Sequence, residues 1–303
     1  MVKGVLGLHH VTAISSEPQK TLDFYTKILG LRLIKLTVNY DDPSTFHVYF
    51  GDEIGRPGTV LTFFPWTGQP RGRKGTGQAT NTSFSIQQES IPYWQDRLKS
   101  HGVSQEATRK RFGETVLSFE DQDGQGLELV GNKENEGRAG WTQGPVPREH
   151  AIRGFHSVTL SEEMLERTES VLVDTLGFQL VGQEENRFRY EAGKGAAGTI
   201  VDIVSRPNAQ RGFGERRNSP SYCVPRRRRR TPEGAASGDR KGRPKRDPGD
   251  QSELLSLHLL PRARWSSLRG GHRPARIRYR RISRAARDTP RTPTLARTIQ
   301  GGN

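Results

Sequence analysis

Hydrophobic and polar residues change their spacing in a fixed order along the first part of the chain. Residues 7–12 alternate, with Leu8, His10 and Thr12 on one face, which is the period of a strand. Residues 17–29 then set Leu22, Tyr25, Ile28 and Leu29 at helical spacing. Ser15 and Ser16 precede them as cap candidates, and Gly30 follows as a C-terminal stop. Three strand-like runs come next, at 31–39, 45–50 and 59–64, separated by Asp-Pro and Pro-Gly breaks. The predicted order is β-α-β-β-β.

That order returns. Gly154-Phe155-His156-Ser157-Val158-Thr159 repeats Gly7-Leu8-His9-His10-Val11-Thr12, and Leu176-Gly177-Phe178 repeats Leu29-Gly30-Leu31. Gly198-Thr199-Ile200-Val201 repeats Gly58-Thr59-Val60-Leu61. Between the copies, residues 80–131 hold another such unit, with Ile91, Trp94 and Leu98 on its helix and a last strand behind Asp121-Gln122-Asp123-Gly124. The pattern predicts an α+β fold of repeated βαβββ modules, at about 4–70, 78–132 and 151–211. The first two form an N-terminal domain ending near residue 150. The period places a fourth module near residue 213, and none is visible there.

Charge marks the same boundary. Residues 1–211 contain 24 Lys and Arg against 26 Asp and Glu, whereas residues 212–303 contain 24 against 7. Arginine dominates the excess, including the run 226–230, and the tail has only Phe213, Tyr222, Trp265 and Tyr279 as aromatics. Such a composition buries too little surface to offset chain entropy, so the expectation for 212–303 is disorder. The single cysteine, Cys223, excludes a disulfide framework and a thiolate metal site. No run of about 18 apolar residues and no signal peptide is seen, so the expectation is a cytoplasmic protein without membrane contact.

The opening motif at residues 7–12, Asp42-Pro43, and residues 58–66 followed by Pro70-Arg71-Gly72 carry a resemblance. They resemble the ring-cleaving dioxygenases of the vicinal oxygen chelate superfamily, of the hydroquinone-cleaving, glyoxalase-like type. The resemblance covers about residues 4–212. It implies a fold in which two βαβββ modules close into a cup around one Fe(II). Two histidines and one glutamate hold the metal on one face and leave the other positions open for O2 and a substrate oxygen. The implied partners are a small aromatic substrate and O2, and the assembly a homo-oligomer.

Carried over by motif, His10 is the metal ligand from the first strand of module one, and His9 lines the pocket beside it or serves the core. An isolated strand histidine is ordinarily a core hydrogen-bonding residue; the repeat and the flanking motif are what favour a ligand at His10. His156 aligns with His9, and Ser157 sits at the ligand position, so module three offers no matching imidazole. Glu128 fills the last-strand glutamate slot of module two without an aligned histidine and reads as structural. Asp202 and His47 show no constellation in sequence. Residues 71–77 read as a solvated linker, since they lack the Gly-Lys-Ser/Thr ending of a phosphate loop. Arg109-Lys110-Arg111 reads as an exposed turn.

The tail itself reads as translated out of frame from about residues 211–216. Combining each codon's last two bases with the next codon's first lets residues 217–225 become Ala-Ile-His-His-His-Ile-Ala-Phe-Arg. Residues 254–271 become a closing-strand pattern ending Gly-Gly-Val-Leu-Phe-Glu-Val-Ala. Trp265 has a single codon, and in the shifted frame it forces the glycine that the pattern requires. The expectation is therefore a dioxygenase-type chain that keeps His10, loses the two other ligands, does not retain Fe(II) and is inactive. His258 and His272 read as by-products of the frame. Module one, lacking its partner, is expected to expose an apolar face.

Three rival readings carry other chemistry. One is a glyoxalase-like lyase or isomerase using a divalent metal, and another is a metal-free resistance-type binding module of the same fold. A third takes the tail as a phosphate-binding arm. The tail lacks regular aromatic interleaving, so specific nucleic-acid binding is not expected.

Overall fold

The computed structural model describes residues 5–40, 42–68, 72–132, 138–193, 195–212 and 255–261. Module one comprises strand β1 (Val5–Ser15), helix α1 (Pro18–Asp23) continuing as a wider π-turn over Phe24–Ile28, and strands β2 (Arg32–Val38), β3 (Phe46–Gly51) and β4 (Val60–Pro65). Module two comprises β5 (Gln78–Gln87), α2 (Ile91–Ser100), β6 (Arg109–Arg111), β7 (Glu114–Glu120) and β8 (Gly126–Asn132). Module three comprises β9 (Phe155–Glu162), α3 (Leu165–Ser170) with its own π-turn over Val171–Thr175, and β10 (Gln179–Glu184), β11 (Arg187–Glu191) and β12 (Ile200–Ser205). A last strand, β13 (Leu255–Pro261), lies in the arginine-rich region.

Two mixed sheets result. The first runs β13-β1-β4-β3-β2 and the second β10-β11-β12-β9-β5-β8-β7-β6. Within each module the opening strand lies parallel to the closing strand, as β1 with β4, β5 with β8 and β9 with β12. Modules two and three join because their opening strands, β5 and β9, pair antiparallel. β13 stands beside β1 in the same antiparallel sense. It thus takes, on module one, the place that β9 takes on module two.

Within residues 213–303, expected to be disordered, the described residues are the strand Leu255–Pro261. Leu255–Pro261 is short, largely apolar and bounded by proline, which suffices to pair with the backbone of β1. The remaining residues from 213 onward, with Cys223, the run 226–230 and His272, lie outside the described residues.

The helix expected over 17–29 is not one regular α-helix, because its second half widens into a π-turn. Leu29 N–H donates to the Phe24 carbonyl at 3.0 Å and Leu31 N–H to the Tyr25 carbonyl at 2.9 Å. Gly30, at φ +69°, then ends it in the left-handed conformation that suits glycine. One face of each strand packs on its helix. Val11, Ala13, Val48, Phe50, Leu61 and Phe63 are buried against Phe24 and Tyr25. The same core continues into module two through Trp94, Leu98, Leu127 and Leu129, whereas module three centres on a second cluster that includes Leu172, Tyr190 and Val201.

Polar bonds lock module one to module two. The Tyr25 hydroxyl, fully buried, donates to Asp121 Oδ2 at 2.9 Å. Asp121 Oδ1 meanwhile accepts from the backbone of Asp123 and Gln125, each at 2.9 Å. Burial pushes the Asp121 carboxyl up to about 6, against the pull of these hydrogen bonds. Its folded-state value therefore lies above the ordinary 3.8, and its contribution to stability falls as pH rises from about 4 to about 6. Tyr25→Phe is expected to cost about 1–3 kcal/mol at pH 7, because it leaves a buried acceptor without its donor. Asp121→Asn, which keeps the backbone acceptor and gives up the buried charge, is expected to be neutral or stabilising at that pH. Chemical denaturation of both variants checks the pair.

Candidate active-site face and the filled second cup

Strand alternation that buries Val11 and Ala13 turns His10 and Thr12 to the opposite face of the first sheet. The neighbouring strands put Thr62 and Phe64 of β4, His47 and Tyr49 of β3 and Lys35 of β2 on that face. Register makes the rows explicit: Thr12 pairs with Thr62, Thr62 with Tyr49, and Tyr49 with Lys35, while His10 pairs with Val60. The face opposite α1 is mixed: these polar and aromatic groups share it with Ile14 and Val60.

His9 and His10 meet through their Nδ1 atoms at 2.8 Å, with rings 5.0 Å apart and nearly perpendicular. A register shift between Leu8 and His10 on the β13 side marks a local irregularity in β1, which lets consecutive side chains approach each other. In a 2.8 Å contact between ring nitrogens, one donates and the other accepts. Burial holds the His9 imidazole below its ordinary value, favouring the neutral ring that such sharing requires. The contact also restrains the two rings against each other, at 79° between their planes.

His47 has a constellation that sequence reading missed. Its Nδ1 lies 2.9 Å from the Tyr49 hydroxyl and its Nε2 lies 3.1 Å from Thr62 Oγ1, which itself donates to Thr12 Oγ1 at 2.9 Å. The imidazole also lies 4.1 Å from both the Tyr49 and the Phe64 rings. Burial, helped by the nearby Lys35 charge, brings His47 down to about 4, so it is neutral at pH 7. The period-2 spacing of His47 and Tyr49 was legible in sequence, but the contribution of Thr62 and Thr12 required the register.

Among the described residues, no group of three or more His, Cys, Asp and Glu converges to hold a metal ion. His10 lies on β1, the strand to which the resemblance assigns its first ligand. His258, set aside as a by-product of the frame, occupies the β13 position directly opposite His10 in backbone register.

The second cup, between modules two and three, is filled. Arg111, 5% exposed, binds the fully buried Glu128 through two nitrogens at 2.8 and 2.9 Å, and Ser83 Oγ donates to the same carboxylate at 2.7 Å. Arg189 binds Asp202 at 2.8 and 3.1 Å and reaches Glu114 at 2.7 Å. Arg187 donates to Asp202 at 3.1 Å. His156 Nε2 lies 2.8 Å from Glu114, and its Nδ1 lies 3.0 Å from Ser157 Oγ. Ser83 and Ser157, paired across β5 and β9, stand where His10 and the β13 backbone stand in the first sheet.

Three expectations change here. Arg109-Lys110-Arg111 is a short strand, and Arg111 is buried because Glu128 needs its charge. Asp202 is the hub of an arginine pair rather than an isolated acid. Residues 72–77 are not a solvated linker either. Thr76 N–H donates to the Gln210 carbonyl at 3.1 Å and Gly212 N–H to the Thr76 carbonyl at 2.9 Å. A Cβ at Gly75 would lie 2.3 Å from the Gln210 oxygen, so only glycine fits that approach. Glu128 takes the structural part expected of it.

With the geometry in place, comparison with known proteins decides the family. The Glyoxalase/Bleomycin resistance protein/Dioxygenase superfamily matches residues 7–129. The crystal structure of a Bacillus subtilis dioxygenase superposes with a TM-score of 0.65 at 41% identity, over 70% of this chain and 67% of that one. The chain belongs to this superfamily. A Bacillus subtilis protein carrying the name ring-cleaving dioxygenase MhqO is 42% identical over 207 residues, and the matched stretch is 68% of this chain and 65% of the relative. The chlorohydroquinone/hydroquinone 1,2-dioxygenase of Sphingobium indicum is 35% identical over 202 residues, covering 66% of this chain and 63% of that relative. The chain thus spans just under two thirds of the length of these superfamily relatives.

The superfamily chain's filled cup sets an acid-stability window. Burial alone would push Glu128 up, but the hydrogen bonds and charge of Arg111, with Ser83, hold it at about 2. Its folded-state value is depressed below the ordinary 4.5, so its contribution is present above pH 4.5 and is lost as pH falls from there through about 2. Arg111→Met should cost about 3–5 kcal/mol at pH 7, because it strands a buried carboxylate. Adding Glu128→Gln should recover part of that loss and flatten the acid window. Denaturation midpoints between pH 2 and pH 7 test both expectations.

Proposed function

We propose that this chain is of the ring-cleaving dioxygenase type, built for Fe(II)-dependent opening of hydroquinone- or catechol-type aromatic rings with O2. In this reading His10 is the module-one ligand and His9 its orienting neighbour. The observation that carries it is the position of His10: on the face of β1 away from α1, beside a polar and aromatic surface, in a chain whose relatives bear dioxygenase names. The glyoxalase-like lyase or isomerase reading and the metal-free binding-module reading have less support, since the long relatives named above are dioxygenases.

The same reading makes the chain defective as written. Iron in such a site would activate O2 towards the ionised phenol, and it requires two imidazoles and a carboxylate. The described residues supply His10, with His9 turned to it through Nδ1. The other donors of the reading belong to a fourth module that the present frame does not encode. What this chain's own residues do is narrower: they join His9 to His10 through Nδ1 and, on the same face of the sheet, link a neutral His47 to the Tyr49 hydroxyl. No helix among the described residues is long and apolar enough to cross a membrane. The proposed partners are the aromatic substrate and O2, in a cytoplasmic setting and a homo-oligomer, with no specific nucleic acid.

The test is to express two chains, one as written and one with the shifted frame restored after residue 211. Both are loaded anaerobically with Fe(II), and then iron content and O2 uptake with hydroquinone are measured. The restored chain is expected to hold one iron and consume O2, while the chain as written does neither. In the restored chain, His10→Ala should lower turnover by on the order of a hundredfold or more. Iron-loaded restored chain that turned over no diphenol would sink the proposal.

A further inference from the structure

We propose that the cavity between residues 138–142, the turn at 148–150 and the end of β5 is a binding site for a small phosphate monoester. The cavity encloses about 380 Å³ and lies in the connection from module two to module three. None of its lining residues belongs to the first sheet, so it is separate from the His10 face. Its charged lining is Arg138, Arg148, Arg153 and Glu149, three guanidinium groups against one carboxylate.

Charge is the first support. In the second cup Arg111, Arg187 and Arg189 each meet a carboxylate. Here, among the described residues, no carboxylate lies within ion-pair distance of Arg148 or Arg153. Glu149 is their neighbour in sequence, but it is the Glu149 backbone carbonyl that is bonded, accepting from Ser90 Oγ at 3.2 Å. Arg138 is already engaged, donating through Nη1 and Nη2 to the Phe155 carbonyl at 3.2 Å. The lining therefore holds an excess of two positive charges. A phosphate monoester carries about −1.5 to −2 near pH 7 and matches it.

Preorganisation is the second support. Arg153 N–H donates to the Ser85 carbonyl and Ser85 N–H to the Gly154 carbonyl, both at 2.9 Å, which fixes the Arg153 backbone beside β5. With its amide oriented to satisfy both neighbours, Gln87 donates to the Glu149 carbonyl at 2.8 Å and accepts from Arg153 Nη2 at 2.5 Å. The turn at 148–150 is tied to α2 as well, because Trp94 Nε1 donates to the His150 carbonyl at 3.0 Å. A Cβ at Gly140 would lie 2.4 Å from the Ile152 carbonyl oxygen, so glycine is what lets the two walls approach. A ligand entering walls already fixed spends little of its binding energy on ordering them.

The donor set identifies the ligand class. A guanidinium donates two parallel N–H bonds, and a planar carboxylate is satisfied by one such fork. The three terminal oxygens of a phosphate monoester point in separate directions and can accept from forks on different segments, here 138 and 148–153. The cavity falls within the range of roughly 300–1,000 Å³ usual for small-molecule sites, so it has room for more than the phosphate. Its lining has no large apolar side chain and includes the Thr142 hydroxyl, which suits a polar, hydroxylated esterifying group.

The test uses the full chain labelled with 15N and follows the backbone amide signals of Gly140 and Thr142. The probes are glucose 6-phosphate, inorganic phosphate, succinate and glucose. Glucose 6-phosphate is expected to shift both signals saturably, and glucose to shift neither. Arg148→Gln and Arg153→Gln should each weaken that binding by about tenfold or more, the worth of a charge-assisted fork. The arginine-rich tail is the same in the parent and both variants, so any phosphate it binds does not change between them. The Arg148 side chain bonds to no described group, so Arg148→Gln is expected to keep the parent's circular dichroism spectrum. Arg153→Lys, which keeps the charge and loses the fork, should bind more tightly than Arg153→Gln and less tightly than the parent. Signals that stay still, or an affinity unchanged in both glutamine variants, would overturn the site. Succinate binding as tightly as the ester would overturn the phosphate class, and inorganic phosphate doing so would overturn the esterified ligand.

Discussion

Each opening strand of this fold is held from both sides by backbone pairing: parallel to its own closing strand and antiparallel to a strand from elsewhere in the chain. Such a strand cannot rotate. Because side chains alternate, one set is committed to the helix core and the other to the opposite face. Val11 and Ala13 enter the core, and His10 and Thr12 are therefore delivered to the chemical face whatever their own preferences. A one-residue slip would bury His10 and expose Val11. The site's position follows from this double pairing more than from any contact made by the site residues themselves.

The two cups show two outcomes of the same geometry. In the second, the positions equivalent to His10 are serines, and the interior charges neutralise one another, Arg111 with Glu128 and Arg189 with Asp202 and Glu114. Burying those carboxylates is tolerable only because each has a fixed guanidinium, so the cup is closed to ligands by its own electrostatics. In the first sheet no carboxylate partner of this kind stands on the analogous face among the described residues, and Lys35 is exposed there. Its polar groups are instead linked hydroxyl to imidazole to hydroxyl. The second cup, by contrast, presents a completed set of ion pairs.

The α+β order, the helix of module two and the strand bearing His10 were legible from spacing alone, because long alternating and 3.6-period runs are local signals. What was not legible depends on partners distant in sequence. Arg111 looks like a turn residue until Glu128, 17 positions on, comes into register beside it. His47 appears isolated because Thr62 and Thr12 reach it only through two strand pairings. The π-widening of the first helix leaves no mark in hydrophobic spacing. Gly75 was read by its charged neighbours, whereas its actual constraint is the approach of the backbone at 210–212.

β13 separates what backbone pairing needs from what chemistry needs. The free edge of β1 presents unpaired N–H and C=O groups, and almost any short β-competent segment can satisfy them. Leu255–Pro261 does so from a region whose charge and composition differ from those of the rest of the chain. Strand pairing is read from main chain and tolerates a change of sequence, so the architecture around His10 persists. Metal coordination is read from side chains at fixed positions and does not tolerate it. The five-stranded sheet that presents His10 is thus set by main-chain pairing, whatever side chains β13 carries.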